Sequence, residues 1–416
     1  MDMIKKIKGF ADLLPPVSNA YAFMEQTATR VFSLYGYDEL RLPVLERTEL
    51  FARGIGEETD VVQKEMYTFP DRKGRSLTLR PEATAGAVRA YIENKLYADA
   101  GSVTKLYAYG PMFRYERPQK GRMRQFHQID VEAFGSSAAI LDAEVILMLG
   151  HFLTEIGLNK LSFEINSLGC RECRPVYLKT LADFLATLPE DELCEDCRRR
   201  KSSNPLRVLD CKVPRCKELT ENAPQLSEHC CPDCKDHFAA VLDPVNAAGL
   251  TYTINPRLVR GLDYYTRTTF EVVSGDIGSQ SSVAGGGRYD GLISALDGPD
   301  LPGVGFACGM ERLALLLAER IPPKPDFFFV VLDGTGLSTS LELAQSLRRA
   351  GLSGVTALEA KSAKSQFRQA DKANARFCLI LGQSECESRT VTVKNMENGQ
   401  QETIPMADLA DYMNAR

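Results

Sequence analysis

With 416 residues the chain is too long for one hydrophobic core, and we expect two or three domains. Its 44% hydrophobic and 25% charged residues are typical of a globular protein, and no apolar run approaches the ~20 residues of a membrane span, which excludes a membrane protein. A net charge of -5 gives no general attraction to nucleic acid, so a polyanion would have to bind local patches. The opening residues contain early lysines but no sustained apolar segment, so we expect no signal peptide and a cytoplasmic location.

The first predicted elements are a helix and a strand. In "SNAYAFMEQTATRVFSLYGY" apolar residues recur on one helical face and Gly36 ends the pattern, which predicts an amphipathic helix. The next run, "DELRLPVLE", alternates Leu40, Leu42 and Val44 as a half-buried strand does. Because Pro43 lacks an N–H group, it indicates a strand edge or an irregularity.

A second strand and helix follow in "LTLRPEATAGAVRAYIEN", where Pro81 marks the turn between them. This order places Glu82 and Thr84 at the start of the helix. Between Lys105 and Gly135, two runs of alternating polarity flank the loop "PQKG". These runs predict a long antiparallel hairpin.

The predicted hairpin concentrates charge. Residues 114 to 124 contain one carboxylate, Glu116, and five cations: Arg114, Arg117, Lys120, Arg122 and Arg124. Residues two apart in a strand share a face, so Gln128, Asp130 and Glu132 on the return strand point to one side. Such charges can simply coat a solvated hairpin tip. The mixture of arginine, carboxylate and aromatic residues instead favours a zwitterionic or nucleotide ligand, because guanidinium groups bind phosphate and carboxylate through paired N–H donors.

Residues 170 to 240 are charged, helical in places and rich in cysteine, which indicates an inserted module. Nine of the 12 cysteines lie between Cys170 and Cys234, and a reducing compartment disfavours disulfides. The spacing suggests two sets of zinc ligands, the first being Cys170, Cys173, Cys194 and Cys197, and the second Cys211, Cys216, Cys231 and Cys234. One or two structural zinc ions are favoured, with buried free thiols or the loss of ancestral ligands as alternatives. The pairing of ligands cannot be read from the sequence.

Strands resume with "LVRGLDYYTRTTFEVV" and continue to "PGVGFACG", and a helix follows at "MERLALLLAE". Arg312 lies in the first turn of that helix, where free N–H groups favour an anion, although glycine before a helix is common in itself. The run "AGGGRYDGL" does not match a P-loop or a dinucleotide-binding fingerprint. Its glycines indicate either a tight turn or a close approach of a ligand to the backbone.

Beyond a predicted linker at "IPPKPD", strands and helices alternate, which predicts a small α/β domain with a largely parallel sheet. The predicted helices lie around Leu341 to Arg349 and Ala363 to Asn374. A basic stripe runs along or beside the second helix: Lys361, Lys364, Arg368, Lys372 and Arg376. It is either a solvated face or a contact with an RNA backbone.

Four motifs together resemble the histidyl-tRNA synthetases, which are class II aminoacyl-tRNA synthetases, over almost the full chain. They are "TLRPEATAG", "FRYERPQKGRMRQFHQ" (motif 2), "LVRGLDYYTRT" (the histidine-specific stretch) and "GVGFACGMERL" (motif 3). The resemblance implies an α+β catalytic domain with a mixed, mainly antiparallel sheet at residues 1–325, interrupted by the Cys-rich helical insertion at 170–240. An α/β anticodon-binding domain would occupy residues 326–416.

The activity implied by the resemblance is ATP-dependent ligation of L-histidine to tRNA(His) through a histidyl-adenylate. ATP would enter with Mg²⁺. A homodimer is implied by the family's motif 1, which the helix and strand ending around Pro43 match. Two other classes of function remain open. One is the non-catalytic paralogue that serves as regulatory subunit of ATP phosphoribosyltransferase, and the other is a zinc-containing RNA-binding protein without catalysis.

The resemblance also implies roles for individual residues. Arg114 and Arg260 match arginines at the α-phosphate, Arg312 matches the arginine on the far phosphates, and Glu116 matches the partner of the adenine amino group. The residues matched to histidine binding are Glu82, Ala83, Thr84, Gln128, Glu132, Tyr264, Tyr265 and Tyr289. Within that set, Glu132 and Tyr265 correspond to the residues that read the imidazole, and Ala83 stands where many members have glycine. The residues expected to contact tRNA are Arg117, Lys120, Arg122, Lys364 and Arg368.

Overall fold

The computed structural model describes residues 3–57, 59–98, 101–280, 282–317 and 324–416, without the side chains of 278–280. The chain divides into two compact units, Met1–Arg320 and Ile321–Arg416. The first half of the predicted linker, residues 321–323, lies outside the described residues. Among the described helices, none has the length and apolar character that crossing a bilayer requires.

The first unit is built on a mixed sheet of eight strands in the order β1-β5-β6-β11-β10-β9-β7-β8. The strands of this unit are β1 Asp38–Glu39, β2 Leu45–Arg47, β3 Tyr67–Pro70, β4 Ser76–Leu79, β5 Thr104–Phe113, β6 Gln125–Phe134, β7 Ser162–Ser167, β8 Tyr252–Ile254, β9 Thr266–Val273, β10 Ser282–Arg288 and β11 Gly303–Gly309. Only the outermost pairs of the large sheet, β1 with β5 and β7 with β8, are parallel. The predicted fold class, an α+β domain with a mainly antiparallel sheet, is therefore confirmed.

Helices cover one face of this sheet and leave the other face for the site. The helices of the unit are α1 Val17–Leu34, α2 Thr48–Ile55, α3 Thr84–Glu93, α4 Ala139–Glu155, α5 Cys173–Ala186, α6 Glu195–Ser203, α7 Leu206–Leu209, α8 Pro214–Leu219, α9 Pro232–Ala247, α10 Leu292–Ala295 and α11 Met310–Leu316. Ile129, Val131 and Ala133 of β6 join residues of α1 and α4 in the main core. Because strand side chains alternate, the intervening polar residues of β6 face the opposite side.

The predicted hairpin between Lys105 and Gly135 is present as β5 and β6, which pair in register from Thr104 with Phe134 to Phe113 with Gln125. The prediction of a single strand at "DELRLPVLE" is wrong. This run divides into β1, which pairs with β5, and β2, which belongs to a separate sheet of three strands in the order β2-β4-β3. Pro43 lies between the two pieces, where its missing N–H ends the ladder.

The cysteine-rich region forms a helical module between β7 and β8. Residues 168 to 251 are all described and contain no strand. Helices α5 to α9 supply its elements, and buried cysteines take part in its core together with leucines such as Leu181 and Leu185. The module therefore packs around thiols as well as hydrocarbon side chains.

The second unit contains a five-stranded sheet in the order β13-β12-β14-β15-β16. Its strands are β12 Phe327–Val331, β13 Gly354–Val355, β14 Phe377–Leu381, β15 Thr390–Asn395 and β16 Gln401–Pro405, and its helices are α12 Gly336–Arg349, α13 Ala363–Lys372, α14 Gln383–Ser388 and α15 Leu409–Asn414. The largely parallel sheet predicted here is wrong. β12 pairs in parallel with β13 and β14, but β15 and β16 add an antiparallel hairpin at the other edge.

Candidate functional site

A row of three polar side chains crosses the open face of the central sheet. Gln128, Asp130 and Glu132 follow one another on β6 at every second position. The neighbouring strands place small residues beside the middle of the row, with Ala108 opposite Asp130 on one side and Ala307 on the other. Space therefore remains above the row for a ligand.

This space is part of a cavity of about 1280 Å³ in the first unit. The predicted site residues that line it are Glu82, Thr84, Arg114, Glu116, Arg122, Gln128, Arg260, Tyr264, Tyr265, Tyr289 and Arg312. They come from α3, the β5–β6 hairpin, the segment before β9, the end of β10 and the start of α11. Residues far apart in the sequence thus meet around one volume.

Three cations converge at one end of the cavity. Arg114 stands with its guanidinium carbon 5.3 Å from the centre of the Phe126 ring. Arg312 donates from Nη1 to the carbonyl of Ser282 at 2.5 Å. Burial lowers the pKa of Arg312, and the nearby Arg122 and Arg114 cations lower it further. The carboxylates of Glu271 and Glu311 offset part of this decrease. Three guanidinium groups at one end of the cavity suit an anion with several negative charges.

Arg260 approaches the same cavity from the segment before β9. Its guanidinium lies 5.3 Å from the centre of the Tyr265 ring, and Nη1 is 3.7 Å from a carboxylate oxygen of Glu271. Its Nε atom is buried and has no hydrogen-bond partner among the described residues. Gly285 makes room for this arginine, since a Cβ added there would lie 2.5 Å from Nη1.

Glu116 lies in the cavity as an ion-paired group. Its side chain is 8% exposed, and one oxygen pairs with Nε of Arg122. The residue expected to contact adenine and one of the residues expected to contact tRNA therefore engage each other in the ligand-free protein.

The other end of the cavity is acidic and phenolic. Glu82 caps α3, because its carboxylate accepts the backbone N–H groups of Thr84 and Ala85, each at 2.9 Å. Glu132 accepts hydrogen bonds from the hydroxyl of Thr84 at 2.6 Å and from that of Tyr289. Burial raises the pKa of Glu132 well above its usual value, and the two hydroxyl groups offset part of this rise. This end is suited to a ligand with positive charge or N–H donors.

The tyrosines form the wall next to Glu132. The ring centres of Tyr264 and Tyr265 are 4.7 Å apart, and those of Tyr264 and Tyr289 are 5.7 Å apart. Tyr289 is 1% exposed, and burial followed by the charge of Glu132 raises the pKa of its phenol well above the usual value. The hydroxyl therefore stays protonated and can donate a hydrogen bond.

Several predicted residues lie away from the cavity wall. Glu132 stands behind Thr84 and Tyr289, and Ala83 is buried at the cap position of α3. Arg117 and Lys120 are exposed near the hairpin tip. Lys364 and Arg368 lie in the second unit, on the exposed side of α13 opposite the buried Gln366 and Ala370.

Asp130 received no role from the sequence, yet it is 2% exposed, lines the cavity and has an oxygen with no hydrogen-bond partner among the described residues. Burial and the neighbouring Glu82 raise the pKa of Asp130 well above its usual value, while Arg80 and Arg114 lower it. A buried carboxyl without hydrogen-bond donors is costly to ionise. Its retention in the cavity wall points to a cationic or donor group in the ligand.

We expect Asp130→Asn to stabilise the ligand-free protein at neutral pH by about 1 kcal/mol or more. The folded-state pKa is raised, so ionisation of Asp130 opposes folding as the pH rises above the usual aspartate pKa of about 3.9. The gain should therefore vanish near pH 4 and grow towards pH 7. Urea unfolding at a series of pH values measures it. A variant less stable than the parent at pH 7 would mean that Asp130 serves instead as the counter-ion of the buried Arg80.

The cysteines form two clusters, but the grouping expected from their spacing is wrong. The outer quartet consists of Cys170, Cys173, Cys231 and Cys234, and the inner quartet consists of Cys194, Cys197, Cys211 and Cys216. The sulfur atoms within each quartet lie within 4.8 Å of one another, and no disulfide joins them. The starts of α5 and α9 lie side by side and bring the outer cysteines together. The four inner cysteines lie between them in the sequence and form the second quartet.

The sulfur spacing fits a tetrahedral metal. The Sγ–Sγ distances are 3.5 Å for Cys170 and Cys173, 3.9 Å for Cys173 and Cys234, and 3.8 Å for Cys194 and Cys211. Zinc–sulfur bonds of about 2.3 Å at tetrahedral angles place sulfur atoms about 3.8 Å apart. The donor set and its spacing therefore suit zinc.

The sequence analysis did not predict that basic residues of the insertion line the cavity. Cations of α6, α7, α8 and the adjoining loops line the cavity opposite the sheet: Arg199, Arg200, Arg207, Lys212 and Lys217. The run "CRRRKSS" contains two of these cations, Arg199 and Arg200, but a charged run in a helix does not show which surface it faces.

Comparisons with known proteins agree with these features. A family model described as "Histidyl-tRNA synthetase" matches residues 9–313, and one described as "Anticodon binding domain" matches residues 328–416. The chain is 66% identical to the "Histidine--tRNA ligase" of Solidesulfovibrio magneticus over 416 residues, covering 100% of this chain and 98% of the relative. It is 62% identical to the protein of the same name from Maridesulfovibrio salexigens, covering 97% and 98%.

Solved structures give the same result. The apo histidyl-tRNA synthetase of S. aureus superposes with a TM-score of 0.81 at 35% identity, covering 99% of this chain and 100% of that chain. The histidyl-tRNA synthetase of Nostoc sp. PCC 7120, at 22% identity and a TM-score of 0.73, covers 100% of both chains and shows the fold alone.

Proposed function

Because this chain belongs to the histidyl-tRNA synthetase family, we propose that the cavity of its first unit is where histidine is activated. The chain is an ATP-dependent histidine–tRNA ligase, which joins L-histidine to tRNA(His) through a histidyl-adenylate. The observation that most supports this placement is the meeting of Arg114, Arg122 and Arg312 with the acidic pocket around Glu82 in one cavity.

The proposed chemistry needs no general base. Adenylation is an in-line displacement at phosphorus by the histidine carboxylate, which is already ionised, so the main obstacle is repulsion between two anions. Arg114 and Arg260 are proposed to hold the α-phosphate and the attacking carboxylate, and Arg312 the far phosphates. Fixed cations of this kind stabilise the charge that develops in the transition state. ATP enters with Mg²⁺, and the carboxylate of Glu271 offers a suitable oxygen ligand near Arg260.

The amino acid is proposed to bind at the acidic end. Glu82, Thr84 and Gln128 hold the α-ammonium group. The buried Oε1 of Gln128 has no hydrogen-bond partner in the part of the chain that the structure describes, and an ammonium donor would satisfy it. Glu132 and Tyr265 read the imidazole, while Tyr264 and Tyr289 close the pocket. On the nucleotide side, Glu116 accepts from the adenine amino group once its ion pair with Arg122 rearranges.

Histidine-dependent exchange of pyrophosphate into ATP tests this proposal directly. Purified protein should catalyse the exchange only when histidine and magnesium are both present, and the product should transfer to tRNA(His). A regulatory paralogue or a non-catalytic RNA-binding protein would show no exchange. Absence of exchange in folded protein would therefore remove the assignment.

The domain organisation is proposed as a catalytic domain at 1–325, interrupted by the insertion at 170–240, and an anticodon-binding domain at 326–416. In the second domain, Lys364 and Arg368 are proposed to contact tRNA, because both are exposed one helical turn apart on α13. Arg117 and Lys120 at the hairpin tip, with Arg122, are proposed to contact the acceptor end of tRNA. Neutral substitutions at these positions should weaken tRNA binding and flatten its salt dependence.

We further propose a homodimer located in the cytoplasm, where tRNA charging takes place. Val44 and Leu45 are 37% and 38% exposed beside Pro43, in the segment that matches the family's motif 1. A second copy would cover these apolar side chains. Sedimentation equilibrium should give twice the mass of one chain, and a monomer at micromolar concentration would contradict the proposal.

Both cysteine quartets are proposed to hold structural zinc. The sulfur spacing supports this, and metal ligation would stabilise a module whose helices carry many charged residues. The ligands are thiolates without an open position, which is typical of structural sites. Elemental analysis of the purified protein should find two zinc ions per chain.

A further inference from the structure

The segment that carries Arg260, Tyr264 and Tyr265 has no regular secondary structure of its own. Residues 257–265, here called the recognition loop, run from the end of β8 towards the start of β9 without helix or strand. Three proposed site residues therefore depend on contacts from elsewhere for their position. The contacts that the structure provides come largely from the cysteine module.

Arg257, at the start of the recognition loop, donates hydrogen bonds to residues near the inner cysteine quartet. Its Nη1 donates to the carbonyl of Thr220 at 2.7 Å, and its Nη2 donates to the hydroxyl of Thr220 at 2.7 Å and to the carbonyl of Leu209 at 3.2 Å. Leu209 lies two residues before Cys211. Thr220 lies four residues after Cys216 and donates from its hydroxyl to the carbonyl of that cysteine at 2.8 Å.

The far end of the recognition loop is held in a similar way. Asn204, at the end of α6, donates from Nδ2 to a carboxylate oxygen of Asp263 at 3.0 Å. Arg174, one residue after Cys173 of the outer quartet, donates from Nη1 to the carbonyls of Asp263 and Tyr265 at 3.2 and 3.1 Å. The loop is thus held at both ends by residues of the cysteine module.

In the segment from α6 to α8, the apolar side chains buried in helices belong to α7, namely Leu206, Val208 and Leu209, and the flanking helices bury only thiols. In α6 the sole buried residue is Cys197, and in α8 it is Cys216. Helices this short are marginal in water unless they bury an apolar face. A metal ion shared by the four sulfur atoms would supply the missing constraint, because binding free energy at such a site is folding free energy.

We propose that a zinc ion in the inner quartet positions the recognition loop, so that histidine activation depends on a metal that takes no part in the chemistry. This inference rests on the proposed function of the cavity. The inner quartet fixes the segment from α6 to α8, that segment fixes Arg257 and Asp263, and these fix the loop that presents Arg260 and Tyr265. Arg257 is then a positioning residue.

Cys211→Ser, with Cys386→Ser as the matched control in the second unit, tests the metal side. The inner-quartet variant should contain one zinc per chain where the parent contains two. Its amide hydrogens in residues 257–265 should exchange faster, and the rate of pyrophosphate exchange should fall on the order of 10- to 100-fold, as expected when reacting groups are misplaced. The Cys386 variant should match the parent in all three measurements.

Arg257→Gln tests the contact without removing a metal ligand. It should keep both zinc ions and a single cooperative thermal transition, yet reproduce the faster amide exchange in the recognition loop. The KM for histidine should rise, and Arg257→Lys should recover part of both changes. Parent protein without bound zinc would overturn the inference. So would a Cys211 variant that loses zinc while its loop exchange and KM stay at parental values. Failure of the parent to catalyse pyrophosphate exchange would instead reject the proposed function itself.

Discussion

Replacing Arg260 with alanine should lower the rate constant for histidine-dependent pyrophosphate exchange by two to three orders of magnitude. Removing one preorganised group that stabilises transition-state charge costs about 3 to 4 kcal/mol. Arg260 is one of the proposed cations at the α-phosphate, and its Nη1 lies 3.7 Å from a carboxylate oxygen of Glu271. The KM values for histidine and ATP should change little, because the charge that Arg260 counters develops in the transition state. Steady-state exchange kinetics measure all three quantities.

A glycine on the neighbouring strand offers a second way to displace the same guanidinium. A Cβ added at Gly285 would lie 2.5 Å from Nη1 of Arg260 and 2.8 Å from its Cζ, and these atoms are the tip of a flexible side chain. Gly285→Ala should therefore keep the unfolding midpoint and lose activity. Gly275→Ala is the matched control, since a Cβ there meets no described atom within 4 Å. Full activity in both the Arg260 and Gly285 variants would contradict the proposed role of Arg260.

The sequence predicted the catalytic hairpin well because its signal is local. Polar residues at 128, 130 and 132 alternate with Ile129, Val131 and Ala133, and one register places the apolar set in the core and the polar set in the cavity. The start of α3 was predicted for the same reason, since Pro81 and Glu82 mark a helix start within a few residues.

Where the predictions failed, the outcome depended on residues far apart in the chain. The cysteine spacings could not show that the starts of α5 and α9 meet, because that meeting follows from how α9 packs on α4. The hairpin of β15 and β16 was missed, and with it the antiparallel half of the second sheet. The basic residues of the insertion were not predicted to line the cavity. A run of charged residues in a helix indicates that the helix is exposed, but it does not show which surface the charged side chains face.

Asp130 illustrates a further limit. Sequence alternation placed it on the site face, but its significance lies in a lack of hydrogen-bond partners that only the three-dimensional structure reveals. Proteins retain such costly groups where a ligand uses them. Together with Glu82 and Glu132 it places three buried carboxyl groups at the amino-acid end of the cavity, which complements the arginines at the nucleotide end.

Replacing Glu132 with glutamine should raise the KM for histidine by about 10- to 100-fold and leave the KM for ATP nearly unchanged. Each carboxylate oxygen has two acceptor positions, so the hydroxyls of Thr84 and Tyr289 leave capacity for an imidazole N–H. Glutamine keeps the shape of the side chain, but its NH₂ group cannot accept a hydrogen bond and faces one of these donors. A buried donor left without an acceptor costs about 1 to 3 kcal/mol.

Discrimination against analogues that lack one ring nitrogen gives the sharper measurement. The parent should have a much higher kcat/KM for histidine than for these analogues, because an analogue would leave a buried acceptor or hydroxyl unpaired. The Glu132 variant should have a smaller ratio of the two kcat/KM values, because its KM should rise more for histidine than for the analogue. Glu144→Gln is the matched control, because its carboxylate lies on α4, away from the residues that line the cavity, and accepts from Nζ of Lys105 at 2.5 Å. An increased KM for ATP with an unchanged KM for histidine would place Glu132 on the nucleotide side and reverse the proposed orientation of the two substrates.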